Sequence, residues 1–190
     1  MNTKPTKIDK VLAKSFLRLL PRWVTSNHIT IFRFLTIPFV ILLLVTEQYE
    51  IGIILFIISA FTDALDGALA RTTDQITDWG KMFDPLADKL LIGSVVAIMV
   101  TKYISVVLAF AIISIEVFLI LNGYYKKKYQ NLVIQSEKSG KFKMVLQSLG
   151  LVVLLLYAIS SVPILLITAE YILYLSIIFA LTSLIVYKSI

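Results

Sequence analysis

The 190-residue sequence has no cysteine and a single histidine, His28. The missing cysteine excludes a disulfide scaffold and any thiolate metal site. Charge is also scarce: 16% of residues are Asp, Glu, Lys or Arg, against about 25% in a typical soluble domain. There is no internal repeat and no low-complexity segment. What fills the chain instead is apolar. Hydrophobic residues make up 58%, and the mean hydropathy is +0.89. This excludes disorder and argues against an ordinary soluble enzyme. The length allows one domain. The formal net charge is +6 and the pI about 9.4. In a soluble protein that balance would suggest nucleic acid. In a membrane protein the same charges belong at the ends of spans.

The positions of the charges decide between these. A spanning helix needs roughly 20 mostly apolar residues. Six runs qualify, at about 29–46, 51–70, 82–100, 104–124, 144–160 and 167–186. The connections at 47–50, 101–103 and 161–166 are short, and their only basic residue is Lys102. The opposite ends carry Lys4, Lys7, Lys10, Lys14, Arg18, Arg22, Arg71, Lys81, Lys126, Lys127, Lys128, Lys138, Lys141, Lys143 and Lys188. The expected fold is therefore an all-α integral membrane protein with six transmembrane helices and both termini cytoplasmic. The basic excess marks topology and contact with anionic lipid, and calls for no nucleic acid.

The first 20 residues lack the uninterrupted apolar core and small-residue cleavage site of a signal peptide. Ile8, Val11, Leu12, Phe16 and Leu19 recur at helical spacing, with Lys7, Lys10, Lys14 and Arg18 opposite and Pro21 beyond. Residues 1–25 are expected to form an amphipathic helix on the cytoplasmic surface, and 26–190 the six-helix membrane domain.

The anomaly is acidic. Six of the 12 acids are Asp63, Asp66, Asp74, Asp78, Asp84 and Asp88. A carboxylate inside a span costs roughly 2.5–3.5 kcal/mol on insertion scales. Nearby cations are too few to pair them all. Asp63 and Asp66 are three apart, and Gly67 and Ala70 continue their face; Gly80, Asp84 and Asp88 are spaced by four. A reversal at about 72–79 would lay the two helices antiparallel, with four carboxylates converging near the cytoplasmic end. Their repulsion demands neutralisation. With no Cys and one His, an all-oxygen donor set selects hard ions such as Mg²⁺, Mn²⁺ or Ca²⁺. Four carboxylates suit two ions, and paired metals clamp phosphoryl oxygens in displacement reactions. Gly67, Ala70 and Gly80 are either helix-packing residues or room for a ligand. Arg71 suits phosphate. Asp74 and Asp78 read as solvated loop charges.

The pattern Asp63-x-x-Asp66-Gly67-x-x-Ala70-Arg71, eight residues, then Gly80-x-x-x-Asp84-x-x-x-Asp88 resembles the signature of the CDP-alcohol phosphotransferase family of membrane lipid synthases, at every defined position. The resemblance implies that Asp63, Asp66, Asp84 and Asp88 bind two Mg²⁺ ions, with Mn²⁺ an alternative. It implies Asp88 as the general base. Gly67, Ala70, Arg71, Gly80 and Thr77 would then hold the CDP part of the donor. It further implies transfer of a phosphatidyl group from CDP-diacylglycerol to an alcohol, release of CMP, a homodimer, and a cell-membrane location with the site facing the cytoplasm.

Asn27-x-x-Thr30-x-x-Arg33-x-x-x-x-Pro38 resembles the segment opening the first span in the phosphatidylglycerophosphate synthase branch, where this region lines the donor site. Without that likeness, Asn27 reads as a helix N-cap and Thr30 as a span residue. Arg33 lies in an apolar run and requires an anionic partner, a ligand phosphate or an Asp of the cluster. His28 reads as a residue at headgroup level.

Asp84-Pro85-Leu86-Ala87-Asp88-Lys89-Leu90 is similar to the glycerol-phosphate and cardiolipin branch. Gly140-Lys141-x-Lys143 resembles the start of its fifth span, which would place Lys141 and Lys143 on the acceptor phosphate; both also fit a positive-inside cluster. That branch usually carries Arg-Glu in the fourth span and a further Arg two turns on. Here Glu116 follows Ile115, and Gly123 stands at the later position. Glycerol 3-phosphate is the expected acceptor. Phosphatidylglycerol or an inositol phosphate is the alternative, and a divalent-cation transporter or an inactive lipid-binding scaffold is the reading from another class.

Overall fold

The computed structural model describes residues 25–72, 78–129 and 138–188, which are helical almost throughout. The order is α1 (Ser26–Val45), α2 (Tyr49–Thr72), α3 (Asp78–Val95), a π-helical turn (Val96–Val100), α4 (Thr101–Tyr103), α5 (Val106–Tyr129), α6 (Lys138–Ser160) and α7 (Pro163–Lys188). Each of the six apolar runs falls on a helix. Three stretches have the length and hydropathy to cross a membrane: Ser26–Val45, Phe142–Ser160 and Pro163–Ser183. Shorter apolar stretches lie at Tyr49–Thr62 and Val106–Asn122. The chain is thus an all-helical, multi-pass membrane protein. Of the amphipathic helix expected over residues 1–25, residues 1–24 lie outside the described residues.

Two connections differ from expectation in where they fall. Residues 101–103 remain helical, and the break falls at Ile104 and Ser105. The last connection shortens to Ser161 and Val162, because α7 begins at Pro163. Proline at the first helical position sacrifices only an N–H that would have no intrahelical partner. Pro38 lies inside α1, which continues to Val45 as the 29–46 run requires.

The chain divides between Leu91 and Ile92 into two compact units. In the first, α1 and α2 form a hairpin. Its turn places Glu47 at φ 61°, and the Thr46 hydroxyl donates to Leu42 O at 2.8 Å. Val40, Leu44 and Phe56 are completely or almost completely buried. Gly52 permits a close approach, since a Cβ there would lie 3.0 Å from Leu44 Cδ2. Helix α1 exposes apolar side chains and buries polar ones beside Ile29, Ile37, Val40 and Leu44. Leu35, Phe39, Leu42 and Val45 are exposed, while Ser26, Thr30, Arg33 and Thr36 are buried. That is the reverse of a soluble amphipathic helix, and it suits a helix whose outer surface meets lipid.

In the second unit, α6 and α7 form another hairpin, turning at Ser161 with φ 55°. Gly150 is again a contact glycine: a Cβ would meet Leu173 Cδ2 and Cγ at 3.0 Å. Leu151, Leu154, Leu155 and Leu173 are fully buried. Tyr103 meets Tyr157 edge to face, with centroids 5.6 Å apart. Helix association in lipid draws on such close packing and on interhelical hydrogen bonds, because lipid tails are as apolar as leucine.

Candidate active site

The first unit gathers the polar side chains around α1. Thr25 precedes the helix, and its N–H donates to His28 Nδ1 at 3.2 Å. His28 thus closes the helix start, a role its solitary position did not suggest. Asn27 is already inside α1, so the N-cap reading for it is corrected: the helix starts earlier, and Thr25 is the cap. Thr30, one turn further, is fully buried. Its hydroxyl donates to Asp84 Oδ1 and lies 3.2 Å from Ser26 O. Thr30 is therefore more than a span residue: it ties α1 to a carboxylate of the signature.

Arg33 follows on the same stripe and has no exposed surface. Its Nε donates to Thr62 Oγ1 at 3.5 Å. The Thr62 hydroxyl donates to Ser59 O at 2.6 Å. The Thr36 hydroxyl donates to Arg33 O at 2.8 Å and lies 2.8 Å from Ser59 Oγ. Buried hydroxyls with such partners cost little, whereas orphaned ones are expensive. The result is a ladder of hydroxyls between α1 and α2 that fixes Arg33 and the helical turn just before Asp63. Thr36, Ser59 and Thr62 escaped the sequence reading. Their signal was spacing: Thr30, Arg33 and Thr36 recur every three residues, as do Ser59 and Thr62.

Asp84 and Asp88 lie one turn apart on α3, as their spacing requires. Asp88 is buried, with 7% of its surface exposed; Asp84 is half-buried. Phe83 packs edge-on against Phe34 of α1, centroids 6.2 Å apart, and seats this turn against the helix bearing Thr30. Asp63, Asp66, Gly67, Ala70 and Arg71 all lie on α2, and Gly80 on α3. Their side chains lie outside the described residues, as does Thr77 entirely. Among the described residues no group of three or more acids or histidines comes together.

Of the two acceptor-side lysines, Lys141 lies on α6 with its side chain outside the described residues. Lys143 is buried, and its Nζ contacts Glu116 Oε1 of α5 at 2.5 Å. Glu116, unaccompanied by the usual arginine, has a lysine partner instead.

A family model for the CDP-alcohol phosphatidyltransferases matches residues 23–183, and the chain belongs to that family. Among curated relatives, the CDP-diacylglycerol–glycerol-3-phosphate 3-phosphatidyltransferase of Rickettsia typhi is 42% identical over 79 residues, 40% of this chain and 44% of that protein. The protein of the same name from Mycoplasma pneumoniae is 29% identical over 170 residues, 77% of this chain and 72% of that one. Human cardiolipin synthase (CMP-forming) is 34% identical over 105 residues, 54% and 35% of the two chains. The chain spans less than half the length of the Rickettsia relative it matches.

Proposed function

We propose that this chain transfers a phosphatidyl group from CDP-diacylglycerol to glycerol 3-phosphate and releases CMP, a step of phospholipid synthesis. The observation that carries the proposal is the placement of the signature on two helices, with Asp84 bonded to Thr30 and Asp88 buried one turn on. A buried carboxylate next to a second one requires a neutralising partner. The donors are oxygens alone, which fits hard divalent cations. Asp63, Asp66, Asp84 and Asp88 would hold two Mg²⁺ ions, or Mn²⁺ in their place. Bound there, the ions supply charge stabilisation to the diphosphate oxygens.

The chain's own residues do the rest. Thr30 holds Asp84 Oδ1 and so orients the carboxylate. Asn27, Thr30, Arg33, Gly67, Ala70, Arg71, Thr77 and Gly80 form the donor site, and the buried guanidinium of Arg33 suits a phosphate. Asp88 takes the proton from the acceptor hydroxyl. That oxygen bonds to the lipid-side phosphorus, the phosphoanhydride bond breaks, and CMP leaves with the bond pair. Lys141 and Lys143 serve the acceptor phosphate, with the charge of Lys143 shared with Glu116. The frame for this chemistry is six spans with both termini and the site at the cytoplasmic face of the cell membrane, in a homodimer.

The test is CMP release by purified chain in lipid nanodiscs. Labelled CDP-diacylglycerol and Mg²⁺ are supplied with glycerol 3-phosphate, phosphatidylglycerol, inositol 1-phosphate or serine in turn. Product from glycerol 3-phosphate, lost in Asp88→Asn by a factor of about 10²–10⁴, supports the proposal. Full turnover in Asp88→Asn removes the assigned base. Product only from phosphatidylglycerol makes the chain a cardiolipin synthase.

A further inference from the structure

The second unit holds a polar cavity of which the phosphatidyl-transfer reading uses only the Glu116–Lys143 pair. Glu116 of α5, Lys143 and Gln147 of α6 and Ser176 of α7 line one small, half-open cavity, together with apolar side chains including Ile112 and Ala180. Lys143 and Gln147 are four apart on one helix, so they share a face. The carboxylate and ammonium satisfy each other at 2.5 Å. The Ser176 hydroxyl donates to Leu173 O at 2.7 Å, which leaves its oxygen able to accept. Gln147 differs from these. It is 97% buried, with 3% of its surface exposed, and its amide makes no hydrogen bond among the described residues. A buried amide carries two donors and an acceptor. Leaving all three unmet in an apolar helix packing is costly. The cavity offers about 10 Å³ to the centre of a water-sized molecule, about enough for one water or one hydroxyl group.

We infer that this cavity is a hydroxyl-binding site, in which Gln147 grips a single hydroxyl group beside the Glu116–Lys143 pair. The donor and acceptor inventory selects that group. A hydroxyl can accept from the Gln147 amide N–H and donate to its carbonyl, to the Ser176 oxygen or to the second Glu116 oxygen. The hydroxyl has two sources: a resident water, or the non-reacting hydroxyl of the acceptor alcohol. The second source rests on the function proposed above.

The experiment compares wild type with Gln147→Leu and Gln147→Met in nanodiscs. Thermal unfolding is followed, and so is kcat/KM for glycerol 3-phosphate and for 3-hydroxypropyl phosphate, which lacks the secondary hydroxyl. If the hydroxyl is the acceptor's, wild type prefers glycerol 3-phosphate by roughly tenfold, both variants lose the preference, and the KM for CDP-diacylglycerol is unmoved. If it is a water's, the preference is the same in all three proteins and both variants unfold at a lower temperature. An apolar side chain that leaves the preference unchanged and unfolds at the same or a higher temperature overturns the inference, because it shows an amide with nothing to lose. Absence of CMP from wild type with either acceptor defeats the proposed function instead, and the unfolding comparison still decides the cavity.

Discussion

Among the described residues two cations, Arg33 and Lys143, are buried, and their surroundings differ. Arg33, in the first unit, meets the Thr62 hydroxyl at 3.5 Å within a ladder of hydroxyls. Lys143, in the second, meets the Glu116 carboxylate at 2.5 Å. A hydroxyl orients a guanidinium without cancelling its charge. A carboxylate cancels the charge of an ammonium and makes the pair close to self-sufficient. The first arrangement sets a guanidinium into a hydroxyl ladder beside the turn that precedes Asp63. The second presents an ion pair beside the Gln147 amide, which makes no hydrogen bond among the described residues. Burial alone would have ranked the two residues alike; the chemistry of the neighbour separates them.

The harshest way to break this contrast is to remove the carboxylate. Glu116→Gln leaves Lys143 buried without its countercharge, which costs about 3–5 kcal/mol in comparable buried pairs. The expected result is a large fall in unfolding temperature. Glu116→Gln combined with Lys143→Met is expected to recover most of it, since removing both charges leaves nothing to compensate. Two single variants whose losses simply add in the double variant would show that the pair is not a pair.

A smaller effect belongs to the first unit. Thr30→Val keeps the shape of the side chain but deletes the hydrogen bond to Asp84. Partners that orient metal-ligating groups are typically worth 10–100-fold in metal affinity or activity. The expected change is a rise of that order in the Mg²⁺ concentration needed for half-maximal CMP release, with the unfolding temperature little altered. An unchanged Mg²⁺ requirement would reduce Thr30 to a packing residue.

The helices themselves were legible because hydropathy writes them in runs. Their ends were not: Pro163 opens a helix where a connection was expected, because proline is at home in a first turn, and Thr25 displaced Asn27 as the cap. The Asp signature was legible because it combines residue type with spacing, and it places the four Asp on α2 and α3. What spacing along one helix cannot show is which neighbour it meets. Thr36, Ser59 and Thr62 are ordinary residues in apolar runs until α1 and α2 are laid side by side. The Glu116–Lys143 contact spans 27 residues; Lys was among the partners available to Glu116, yet nothing local selected this one. Gln147 carried no signal at all, since an exposed and a buried glutamine read the same in a sequence.

The mildest test probes the hydroxyl ladder. Thr36 and Ser59 bond across α1 and α2 at 2.8 Å, and both are buried. Interhelical hydrogen bonds in lipid average only about 0.6 kcal/mol in measured cycles. Ser59→Ala is therefore expected to lower stability by less than about 1 kcal/mol, with Thr36 keeping its bond to the Arg33 carbonyl. The informative readout is the donor. If the ladder positions Arg33 for a phosphate, Ser59→Ala raises the KM for CDP-diacylglycerol and leaves the KM for the acceptor unchanged. If both KM values hold and only stability falls, the ladder is packing. The contrast between the two buried cations then reduces to one of partner chemistry, without a difference in function.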